Sequence, residues 1–113
     1  GAGKGTSAGG AYGGYGGHAT ESRDVYGSAV LPLDPGSPGG WYTWTGDHSS
    51  SGHGGGVISL LVGRDMILDG LLRADGGKGT YYRAAGGSGG AIFLACRKLL
   101  GHGELHAKGG YGE

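Results

Sequence analysis

Residues 54–77 read GGGVISLLVGRDMILDGLLRADGG, and residues 88–110 read SGGAIFLACRKLLGHGELHAKGG. Gly56-Val57-Ile58 aligns with Gly90-Ala91-Ile92, and Leu72-Arg73-Ala74-Asp75-Gly76-Gly77 with Leu105-His106-Ala107-Lys108-Gly109-Gly110. The copies lie 34 residues apart at their start and 33 at their end, so one residue near Gly63 is extra in the first. Self-similarity at a period of this size marks stacked repeats, in which each unit buries its apolar side against the next. The pair therefore predicts two coils of one winding, with Ile58 over Ile92.

Alternation places strands within each copy. In Val57–Val62 it sets Ile58, Leu60 and Val62 on one side and Ser59 on the other. Met66–Leu68 and Leu71–Asp75 complete the first unit, with Leu72 and Ala74 inward and Arg73 and Asp75 outward. The second unit puts Ile92, Leu94 and Cys96 inward, then Leu99-Leu100, then Leu105 and Ala107 inward beside outward Glu104 and His106. Superposing the copies sets Asp65 against Lys98, Asp69 against His102 and Asp75 against Lys108. In parallel, in-register coils such partners are neighbours about 5 Å apart. Gly-Gly pairs are expected to form the tight corners between coils.

At 113 residues the chain is one domain at most, expected to span 1–113 with 1–53 as lead-in to repeats at 54–77 and 88–110. Glycine fills 32 positions without a Gly-X-Y period, which excludes collagen and leaves low-complexity disorder as the competing class. Zero net charge does not drive the chain apart, and most of its Leu, Ile, Val and Phe fall between Val57 and Leu105. That concentration favours burial. The same neutrality supplies no electrostatic footprint for nucleic acid or an anionic membrane. Apolar runs are too short for a transmembrane helix. Both ends lie in Gly-rich sequence, from which a piece of a longer chain is expected.

The lead-in carries turn chemistry. Gly1-Ala2-Gly3-Lys4-Gly5-Thr6 has a phosphate-loop flavour, but no strand precedes it and Gly5, not Ser or Thr, follows the Lys. Asp34-Pro35-Gly36-Ser37-Pro38-Gly39-Gly40 denies helix and interior strand. Val30, Leu31 and Leu33 are expected to cover an edge or end of the core. Trp41-Tyr42-Thr43-Trp44-Thr45 suits a short strand. Residues 78–87, KGTYYRAAGG, read as a Gly-flanked excursion between the copies.

Gly87-Ser88-Gly89-Gly90-Ala91-Ile92, then Gly101-His102-Gly103-Glu104-Leu105-His106-Ala107 and Gly109-Gly110, resemble a segment of large secreted glycine-rich proteins of plants, protists, bacteria and invertebrates. There a GGSGG-(small)-Ile run leads to a G-x-G-x-Ile-x-Ala-x-GG run. Gly13-Gly14-Tyr15-Gly16-Gly17, Tyr26-Gly27-Ser28 and the Asp34–Gly40 run look like the lead-in of the same family, so the resemblance covers nearly the whole chain. It implies a right-handed parallel β-helix at a cell surface or in extracellular matrix, without a carried-over catalytic site. The chain departs from the pattern at Ala95-Cys96-Arg97-Lys98 and in having so few repeats.

No residue set converges on catalysis or a cofactor. His102 and His106 fall about 13 Å apart along a strand, too far for one metal ion. His48, His53 and Asp47 lie in a Ser/Gly loop, where surface histidines are the simpler reading. Cys96 at an inward strand position reads as a small core residue, and no internal disulfide can form with a single cysteine. The carboxylates lack the alternating spacing of a calcium loop.

The expected fold is thus all-β, a short glycine-rich parallel β-helix or β-solenoid. The expected function is non-enzymatic: a structural or scaffold component of an extracellular or biomineral-type matrix. It would act by assembly with other protein chains, and polysaccharide or mineral are further candidate contacts. No cofactor, metal, nucleic acid or membrane span is expected. The alternative is a carbohydrate-binding or adhesive module using exposed aromatics. Under either reading the interaction candidates are Trp41, Tyr42, Trp44, Tyr81, Tyr82 and Arg83.

Overall fold

A computed structural model describes Gly10, Tyr12 and residues 33–40, 51–80 and 83–112. Among these residues six short strands follow one another: β1 (Val57–Leu61), β2 (Asp65–Ile67), β3 (Leu71–Arg73), β4 (Ala91–Ala95), β5 (Lys98–Leu100) and β6 (Glu104–His106). They pair in three two-stranded parallel sheets, β1 with β4, β2 with β5 and β3 with β6. Ile58 lies beside Ile92, Asp65 beside Lys98 and Leu72 beside Leu105. Each unit of the repeat is therefore one layer of a short, all-β, solenoid-like stack. The register steps by one residue between Leu61↔Ala95 and Asp65↔Lys98, around Gly63, where the first copy holds its extra residue.

Alternation is plain in the first layer. Ile58, Leu60, Met66 and Leu72 are half-buried while their strand neighbours face solvent. The second layer blurs it: Ile92 through Ala95 are all half-buried, and β5 is exposed throughout. Leu105, expected inward, is 46 % exposed, Ala107 is exposed, and His106 rather than Leu105 is the half-buried residue of β6. A stack of two layers covers the inner side chains of each from one direction only. Among the described residues no large side chain is fully buried, and the buried residues of the core are Ala74, Ala84, Ala85 and Ala91 with Ser37 and Ser88.

What lies beneath the strands is a bundle of glycine-rich extended segments, not a set of corners. Segment 84–90 runs through its middle, with every residue buried except the half-buried Gly89. Its neighbours recur every third residue. The amides of Ala85 and Ser88 donate to the carbonyls of Gly40 and Ser37, while those of Gly87 and Gly90 donate to Gly77 and Ala74. In the other direction the carbonyls of Ala85 and Ser88 accept from Gly52 and Gly55, that of Gly86 from Gly10 and that of Gly87 from Gly110. The outer segments repeat the step, Gly36 and Gly39 donating to Gly55 and Gly52, and Gly76 and Gly79 to Lys108 and Tyr111.

A three-residue recurrence belongs to the polyproline II helix, whose amides and carbonyls point outward with no partner inside the helix. Such a helix buries its backbone only if neighbouring helices supply the partners, and they come close enough only where side chains are absent. A Cβ on Gly87 would overlap the carbonyl of His53, and one on Gly90 that of Gly56. Proline suits the same conformation, because its fixed φ near −65° is close to that of polyproline II. Segment 33–40 accordingly bends only at Asp34 and continues extended through Pro35 and Pro38. The Ser37 amide donates to the Ser88 hydroxyl at 2.7 Å, and the hydroxyl donates to the Ser37 carbonyl at 3.4 Å.

Each layer thus runs out along a glycine segment, crosses three strands and returns along a second. Segments 51–56 and 74–80 form the outer limbs of the first layer, antiparallel and joined by the Gly77 amide to the His53 carbonyl at 2.7 Å. The Gly-Gly pairs at 54–55, 76–77, 86–87, 89–90 and 109–110 lie within these unbent segments. The bends of the strand region fall instead at 63–64, 70, 97 and 101–102. Gly101, at φ 104°, is the corner that requires glycine.

Candidate interaction surface

The side chains turned outward from the stack form rows along it. Ser59 and Leu61 stand beside Phe93 and Ala95; Ile67 beside Leu100; Leu71 beside Glu104; Arg73 beside His106. Several are large and apolar yet open to solvent, Leu61 at 79 % and Ile67 at 70 %. Leu99, at 49 %, and Leu105 line the inner side of the second layer and are uncovered at its free face.

The three aspartates of the first layer meet their expected partners, two of them through the backbone. The Asp69 carboxylate accepts from the His102 amide at 3.1 Å, and that of Asp75 from the Lys108 amide at 2.8 Å. Asp65 stands in register with Lys98. Asp75 also takes the Arg73 guanidinium at 2.9 Å. The Lys108 amide, aided by Arg73, holds the Asp75 carboxyl below the usual aspartate value, against a smaller opposing effect of desolvation. Glu104 and His106, two apart on β6, approach to 3.1 Å. The bonds from the His102 and Lys108 amides to Asp69 and Asp75 pin the register of one layer on the next.

Of the interaction candidates read from the sequence, Trp41, Tyr42, Trp44, Tyr81 and Tyr82 lie outside the described residues, as do Val30 and Leu31. Arg83 is described: it is exposed, at φ 60°, in the turn that enters the buried segment 84–90. Leu33 is half exposed, at 50 %. Cys96 is a free, half-buried thiol beyond the end of β4. Among the described residues, no group of three or more His, Cys, Asp or Glu is placed to hold a metal ion. No helix among them is long and apolar enough to cross a membrane.

Sequence reading passed over the outward apolar row of Leu61, Ile67 and Leu100 and the Ser37–Ser88 pair. The row was visible as apolar residues on the wrong side of the alternation. The serine pair, 51 residues apart in the chain, had no sequence signal. Comparison with protein-family models, with curated proteins and with solved structures gives no match.

Proposed function

We propose that the chain is a non-enzymatic structural component of an extracellular or biomineral-type matrix, working by assembly with other protein chains. The observation that carries this reading is the pattern of burial. Among the described residues the stack covers no large side chain completely and leaves Leu61 and Ile67 more than two-thirds exposed. Burying apolar surface contributes about 25 cal/mol per Å² removed from water, so these rows gain stability from contact with a further chain. Strand edges add a directional element, since an unpaired edge is a template for another strand. The resemblance to secreted glycine-rich proteins supports the extracellular setting.

Fractionation of the source material tests this. A matrix component is expected to stay with the insoluble extracellular fraction through salt washes and to be released by denaturant. Recovery as a freely soluble protein in the first wash overturns the proposal.

A further inference from the structure

We propose that the partner of the exposed strand edges is a second copy of this chain, stacked head to tail, with β5 and β6 of one copy against β2 and β3 of the next. This deepens the assembly reading and rests on it. Among the described residues each sheet has two strands, so every strand has one edge with no described partner. The two faces are not alike. The first layer carries Arg64, Asp65, Asp69, Arg73, Asp75 and Lys78, and the second Arg97, Lys98, Glu104 and Lys108. With histidines neutral, their formal charges are 0 and +2. The face of the second layer therefore repels a copy of itself but not the face of a first layer.

Register adds to the charge. Within one copy Lys98 follows Asp65, Leu99 follows Met66 and Leu105 follows Leu72. A copy added head to tail continues these columns: Lys98 meets the next Asp65, Leu100 the next Ile67, and Leu99 and Leu105 are covered by Met66 and Leu72. The same contact made tail to tail would run β5 antiparallel to its copy and break these columns. Because the contact joins unlike faces without closing, its product is an open stack, not a fixed dimer.

Single-cysteine cross-linking of the full chain in a Cys96→Ala background tests the arrangement. Ile67→Cys and Leu100→Cys replace exposed, outward side chains, and neighbouring parallel strands hold their Cα atoms within disulfide range. Under mild oxidation, covalent dimer is expected when the two variants are mixed and lost when either is alone. No dimer in the mixture, or dimer in one variant alone, overturns the proposal. Sedimentation of the unaltered chain gives a second reading that needs no variant. Mass rising beyond dimer with concentration supports the stack, whereas mass fixed at monomer or dimer overturns it. A chain that fails both tests yet stays in the insoluble matrix fraction overturns self-stacking and leaves the matrix reading intact.

Discussion

The two halves of each layer solve the same problem with opposite materials. In the glycine part, segments 51–56 and 74–80 approach until one backbone donates directly to the other, Gly77 to His53. In the stranded part the side chains of Ile58, Leu60, Met66 and Leu72 fill the interior of the layer, half-buried. The first arrangement gains little from the hydrophobic effect and much from paired amides, each worth about 0.5–1.5 kcal/mol net. The second gains from apolar burial but completes none of it. The difference teaches where rigidity resides. Glycine loses more conformational freedom on folding than any other residue, so a bundle of it is stable only when its backbone partners are satisfied almost throughout. The strands then grow from an anchored base.

The sharpest way to break this contrast is a methyl group in the bundle. Gly87→Ala sets a Cβ against the His53 carbonyl, where the nearest atoms are all backbone of Gly52 and His53 and no flexible side chain can yield. A loss of about 3 kcal/mol or more is expected in urea unfolding, at the upper end of overpacking costs. Gly70→Ala is the control, because a Cβ there meets nothing within 4 Å. It should be neutral or stabilise by up to about 1 kcal/mol through the unfolded chain. Equal losses for the two would mean that close backbone packing does not anchor the fold.

A smaller effect is expected from the stranded part. Leu72→Ala removes a half-buried side chain in register with Leu105. A loss of about 1–2 kcal/mol follows, below the 2–5 kcal/mol typical of fully enclosed leucines. If urea titration shows Leu72→Ala costing more than Gly87→Ala, the order of the two halves is reversed and the strands are the anchor.

The stranded half was the legible one. Its period, its register and the extra residue at Gly63 follow from aligning Gly56-Val57-Ile58 with Gly90-Ala91-Ile92, because strand pairing repeats chemistry at fixed spacing. The bundle was hidden, because glycine has no side chain whose alternation could betray a direction. Ala84-Ala85-Gly86-Gly87-Ser88-Gly89-Gly90-Ala91 is nonetheless eight residues without a side chain larger than serine. That run marks a segment surrounded on all sides, yet the sequence reading placed its first residues in an excursion. Pro35 and Pro38 exclude helix and ladder strand, as the structure bears out, and the same residues suit a threefold extended segment. Of the interaction candidates only Arg83 lies among the described residues; Trp41, Tyr42, Trp44, Tyr81 and Tyr82 lie outside them.

The subtlest test lies where one layer is pinned to the next. The Asp75 carboxylate accepts the Lys108 amide and the Arg73 guanidinium, and its folded pKa lies below the ordinary 3.8. A group with a depressed folded pKa contributes stability that is fully present above its unfolded value and is lost as pH falls through the folded one. Wild type should therefore lose stability on acidification from about pH 4 downward through this group. Asp75→Asn lacks the titrating carboxyl, so the difference in Tm between the two should be largest near neutrality and shrink below pH 4. Salt separates the contributors, because ions screen the exposed Arg73 partner more than the short bond from the Lys108 amide. If the difference in Tm disappears in high salt at neutral pH, Arg73 and not the backbone of the second layer holds Asp75, and the pin between the layers is weaker than its geometry implies.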